Sequence, residues 1–142
     1  MQFEQFGVTF EYPDNWSIDV DSDDVGGSSA TVQSPDGGFW NISVYPSGTN
    51  SKEMVQVVSS EMQKEYQDID IEVVHDTISG IQLSGLDFNF YCLDLTNTAH
   101  VRAVENREAT YIIFCQAEDR EWESIHAVFE AMTASFLRSL TR

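Results

Sequence analysis

Hydrophobic positions along the chain change period several times, and each change marks an element. Residues 6–12 set Phe6, Val8, Phe10 and Tyr12 against Gly7, Thr9 and Glu11, the two-residue period of a half-buried strand. Pro13-Asp14-Asn15 turns the chain, and Trp16 to Val20 resumes the alternation. Residues 21–29, DSDDVGGSS, carry no apolar period and read as a loop. Residues 30–34 and 39–45 form a hairpin closed by Pro35-Asp36-Gly37-Gly38, where Pro fixes one turn position and Gly supplies positive φ. Its second arm turns Trp40, Ile42 and Val44 inward and leaves Phe39, Asn41, Ser43 and Tyr45 on the other side.

From Asn50 the period becomes helical. Asn50 and Glu53 have capping-box spacing, and Met54, Val55, Val58, Met62 and Tyr66 make one stripe of a helix of about 16 residues. Alternation returns over residues 69–78, a strand. Gly80 and Gly85 bracket a short strand, or a kinked entry to the next one. Residues 86–117 then read as three antiparallel strands at the middle of the sheet, with the first turn at Thr96-Asn97. The first strand points Leu86, Phe88, Phe90 and Cys92 one way, whereas the last, around Tyr111, Ile112, Ile113, Phe114 and Cys115, is apolar on both faces. A strand buried above and below requires a layer on each side. A closing helix over residues 119–140, with Asp119 as its N-cap, places Trp122, Ile125, Phe129, Met132 and Phe136 on one face. Strands, helix, strands, helix is an α+β order, with a mainly antiparallel sheet.

A chain of 142 residues without linker or repeat is expected to be one domain, 1–142, large enough to bury roughly two thirds of its unfolded surface. The net charge of −17 changes the picture more. No Lys or Arg precedes Lys52, and such a surface repels nucleic-acid phosphates and anionic lipid. A basic protein partner is electrostatically allowed, and solubility or adaptation to salt is the simpler use of the charge. No positively charged N-terminal segment leads into an apolar run, so neither signal peptide nor transmembrane helix is expected. Cys92 and Cys115 fall on strands separated by a third, about 9–10 Å apart laterally and too far for a disulfide. Two buried, reduced thiols follow, in keeping with a cytoplasmic protein.

Candidate chemistry is sparse. Asp19, Asp21, Asp23 and Asp24 alternate as in a calcium loop, but Asp24 and Ala30 stand where Gly and a bidentate Glu belong. An acidic solvated loop is the alternative. His75, His100 and His126 lack zinc-ligand spacing and read as polar surface residues. No nucleophile elbow, phosphate loop or cofactor motif occurs, so no enzyme, cofactor or metal is expected. Phe39, Asn41, Ser43 and Tyr45 are the candidate partner surface unless the first helix lies over them.

Phe10-Glu11-Tyr12-Pro13-Asp14-Asn15-Trp16 resembles the F-x-x-P-x-x-W opening of the Mog1/PsbP-like superfamily. The hairpin at residues 34–38, a helix followed by a long meander, and the aromatic-rich closing helix occur in the same order, so the resemblance covers essentially the whole chain. It implies an α/β/α sandwich and members that bind proteins rather than catalyse. Their roles include a Ran-GTPase-binding factor, an extrinsic photosystem II subunit and small bacterial chaperones for secreted effectors. The absence of an export segment argues against the photosystem branch, and no binding residue of any branch aligns here. The expectation is a soluble, non-enzymatic protein-binding or chaperone-like domain. The alternative is a small-ligand carrier, which needs an apolar cleft of about 300 Å³ or more, with convergent polar groups, between sheet and helix.

Overall fold

The computed structural model describes residues 1–22 and 27–141. Its strands are β1 (Gln2–Gln5), β2 (Val8–Glu11), β3 (Ser17–Ser22), β4 (Ser28–Gln33) and β5 (Phe39–Pro46), followed by helix α1 (Ser51–Glu65). Then come β6 (Asp70–Ile78), β7 (Ile81–Cys92), β8 (Leu95–Glu105), β9 (Ala109–Glu118) and helix α2 (Asp119–Leu140). Seven strands form one antiparallel sheet in the order β3-β4-β5-β9-β8-β7-β6, and β1 pairs with β2 in a separate hairpin.

β9 is the central strand, as its two apolar faces require. Tyr111, Ile113 and Cys115 are buried in a core with α2 and the β1–β2 hairpin, and Ile112 in a second core with α1. The two helices therefore lie on opposite faces, and the α/β/α sandwich follows from the sequence pattern. α2 is keyed to the sheet by the Trp40 indole, whose Nε1 donates to Thr133 Oγ1 at 3.0 Å. Phe10 of the hairpin packs at a tilt against the same indole, with ring centroids 4.8 Å apart.

α1 starts where the capping signal places it, because the Asn50 side chain accepts from the Glu53 amide at 3.1 Å. Its stripe of Met54, Val55, Val58, Met62 and Tyr66 covers Leu86, Phe88, Phe90, Val101 and Ala103. The hairpin at residues 34–38 closes as expected: Gly37 donates to the Ser34 carbonyl and itself sits at φ +106°.

Several boundaries and environments differ from expectation. The loop read at residues 21–29 is shorter, because Asp21 and Ser22 belong to β3 and Ser28 and Ser29 to β4. The strand placed at residues 6–12 is interrupted, because Phe6 and Gly7 (φ 39° and 79°) form the turn between β1 and β2. The meander turns at Leu93-Asp94, both with positive φ, and Thr96 and Asn97 belong to β8. Leu is a poor residue for that geometry, and no Asn-Gly or Asp-Gly pair advertised the turn. Gly85 is no kink: it lies within β7, where an added Cβ would come 1.8 Å from the Val101 carbonyl oxygen. The N-cap of α2 is Glu118 rather than Asp119, whose carboxylate instead accepts from Thr98 Oγ1 at 2.7 Å. Cys92 is half-buried rather than buried, since it lies in the last pair of β7–β8 beside the turn. Both thiols are free.

Candidate functional site

Two concavities flank the sheet, one under each helix. The first follows from how little of its face α1 covers: the helix packs chiefly on β7, β8 and β9 and leaves most of the β3–β4–β5 half open. Strand register orders that uncovered half. Asp19, Thr31, Asn41 and Phe114 form one row across it, and Asp21, Ser29, Ser43 and Ile112 the next. Its surface thus runs from carboxylates on the edge strand, through hydroxyls and an amide, to aromatic rings beside α1.

There a groove of about 320 Å³ opens between Phe39, Asn41, Ser43, Tyr45, Ile112 and Phe114 on the sheet and Val57, Val58, Glu61 and Met62 on α1. Phe39 and Phe114 stack at 5.8 Å, and Val57 is 52% exposed. Asn41 donates to Thr31 Oγ1 at 2.8 Å and accepts from Ser43 Oγ at 3.0 Å, which fixes the groove floor. All four residues chosen from the sequence as a partner surface line this one groove, and each is half-buried. α1 forms its wall rather than its lid.

The second concavity is a cleft of about 670 Å³ on the opposite face, between α2 and the β6–β8 side of the sheet. It exists because α2 packs on β2, β8 and β9 and presents Ala127, Ala131 and Ala134, one face of the helix, towards β6. Its floor holds Arg102 of β8, among the described residues the one Lys or Arg within a strand, which is 7% exposed. Arg102 Nε donates to Asp76 Oδ2 and Nη2 to Asp87 Oδ1, both at 2.7 Å. Nη1 is spent on the Leu86 and Val101 carbonyls. Burial opposes the guanidinium charge, but the hydrogen bonds to the two carboxylates outweigh it, and the pKa is raised.

His100, expected at the surface, sits half-buried in this cleft, 3.4 Å from Asp87 and edge-on to the Trp122 ring at 4.6 Å. Burial lowers its pKa and outweighs the pull of Asp87, which favours the neutral imidazole. His126 reaches the same cleft from α2, whereas His75 is exposed. Strand register, not sequence spacing, assembles this cluster. Asp87, His100 and Arg102 occupy positions of β7 and β8 whose faces point towards the α2 layer, where apolar residues are the rule.

Register also aligns Asp87, His100 and Cys115 across β7, β8 and β9, an order that resembles a cysteine-hydrolase triad. The chemistry does not follow. Burial pushes the Cys115 thiol up to about 12, and no hydrogen bond joins it to the His100 ring among the described residues. Asp19 and Asp21 lie on β3, while Asp23 and Asp24 of the calcium-loop reading fall outside the described residues. Among the described residues, no group of His, Cys, Asp or Glu could hold a metal ion, and no helix is long and apolar enough to cross a membrane.

No protein-family model matches the chain, and no curated protein matches it in sequence. Solved structures do match in fold. The cyanobacterial PsbP of Synechocystis sp. PCC 6803 superposes with a TM-score of 0.59 over 95% of this chain and 89% of its own, at 14% identity. Protein PA94 of Pseudomonas aeruginosa, of unknown function, gives 0.54 over 95% and 94%, also at 14% identity. LpqN of Mycobacterium tuberculosis, involved in cell envelope biogenesis, gives 0.54 over 88% and 79%, at 12% identity. The fold is the Mog1/PsbP-like fold, as the opening motif and the order of elements imply.

Proposed function

We propose that this chain is a non-enzymatic protein-binding domain, and that the groove beside α1 is where it takes a basic segment of its partner. The observation that carries this reading is the half-covered sheet. Phe39, Tyr45 and Phe114 sit half-exposed at the edge of α1 when a longer or shifted helix would have buried them. Charge selects the occupant. Glu61 lines the helix wall, Asp19 and Asp21 stand on the outer strand of the same face, and the chain carries −17 overall. A second copy of this chain would bring like charge against like, whereas a segment with apolar and basic side chains finds rings on the sheet and carboxylates at the rim.

The fold supports a binding role only by analogy. Burial keeps the Cys115 thiol, which register places beside His100, protonated and so a poor nucleophile.

The test uses Val57→Lys with Glu61→Lys, two exposed positions on α1 where lysine is compatible with a helix. The control is Glu123→Lys with Ser124→Lys, which adds the same charge on exposed positions of α2. Wild type, variant and control are immobilised, and captured proteins are quantified in extract from the source cells. Basic proteins retained by wild type and control but lost at least tenfold from the groove variant are expected. A capture profile identical in all three contradicts the reading.

A further inference from the structure

The cleft on the α2 side is a second site, independent of the groove because the sheet separates them. Its chemistry is defined by which groups are already satisfied. Arg102 spends four of its five N–H donors on Asp76, Asp87 and two backbone carbonyls, so it has little left to offer an anion. Each carboxylate gives Arg102 one oxygen. The other oxygen of Asp76 and of Asp87 has no protein partner among the described residues, and both side chains line the cavity. The guanidinium thus holds two acceptors in fixed positions and leaves them open to a donor from the cleft.

Charge points the same way. The cavity wall carries three carboxylates, Asp76, Asp87 and Glu130, against the single guanidinium of Arg102. Beside these charges the lining holds His100, His126 and two threonines, and an apolar part made by Val74, Ile78, Ile113 and Phe129, with the Trp122 ring half-exposed at the side. A cation with an apolar body satisfies both halves, because carboxylates and an indole face each stabilise an ammonium. The volume of about 670 Å³ lies within the range of small-molecule sites.

We propose that this cleft binds a small organic amine, its ammonium donating to the open oxygens of Asp76 and Asp87 and its apolar body lying against Trp122, Ile113 and Phe129.

The test titrates the protein with 2-phenylethylamine and, separately, with 3-phenylpropionate, an anion of similar shape, and follows both by isothermal calorimetry and by ¹⁵N chemical shifts at 150 mM salt. Two variants accompany wild type. Asp87→Asn removes a receiving charge, and its fold is checked by circular dichroism because Arg102 loses a partner. Ala131→Leu keeps every charge and fills the cleft from an exposed helix position. Saturable binding of the amine is expected, with shifts at His100, Arg102 and Trp122, no comparable binding of the anion, and at least a tenfold loss in Ala131→Leu. Four results would overturn the proposal: no saturable binding of the amine, equal binding of amine and anion, affinity unchanged in Ala131→Leu, or shifts confined to the groove beside α1.

Discussion

At the scale of single residues the two cysteines and His100 show how far environment overrides type. Cys115 is buried with its pKa near 12, while Cys92 is half-exposed at a strand end. Iodoacetamide at pH 7.5 should therefore alkylate Cys92 in the native protein and reach Cys115 only after denaturation, as peptide mass spectrometry will read. Equal native labelling would contradict the burial of β9. His100 gives a pH dependence whose sign is fixed. Its folded pKa lies below the ordinary 6.5, so between the two values the unfolded chain binds more protons. That contribution to stability is complete above about pH 6.5 and is lost as pH falls through the folded pKa. Asp87, Asp76 and Glu130 also face the ring with Arg102, so the comparison must be with His100→Gln. Urea unfolding should show wild type losing more stability than His100→Gln between pH 7.5 and 5; parallel losses would remove His100 as a cause. None of this was legible from spacing, because the histidines are isolated in sequence and meet their neighbours only through strand register.

At the scale of elements the helices and the central strand were readable and the turns less so. Periodicity survives in α1, α2 and β9 because each buries a continuous stripe against a layer. The Leu93-Asp94 turn was misplaced because one of its two positive φ values falls on Leu93, a residue that does not advertise a turn. β1 was missed for a similar reason: only Phe3 of its four residues is buried, so there was no alternation to count. Gly85 is the opposite case, a glycine whose purpose lies in close approach rather than in a turn. An added Cβ would meet the Val101 carbonyl, which is backbone and cannot swing away. Gly85→Ala should therefore cost about 1–3 kcal/mol or more in urea unfolding, as overpacked cores do. A cost below about 0.5 kcal/mol, typical of a neutral surface change, would show that β7 and β8 lie further apart than described.

At the scale of the whole molecule, one sheet with two unequal coverings yields two concavities of different character. The sandwich was legible because a doubly apolar strand demands it. What pattern could not supply is the lateral position of α1, which decides whether the outward side of β5 is core or surface. Phe39, Asn41, Ser43 and Tyr45 were identifiable as candidates from alternation alone, while the α2-side cleft, built from Arg102 and its two aspartates, was not. The most direct measurement is hydroxyl-radical footprinting of the free protein and of the protein loaded with its captured partner. In the free state Phe39, Tyr45 and Phe114 should oxidise while Phe88 and Phe90, under α1, stay protected. On loading, Phe39, Tyr45, Phe114 and Val57 should become protected; unchanged labelling there, or protection confined to the α2 face, would contradict the groove as the binding surface.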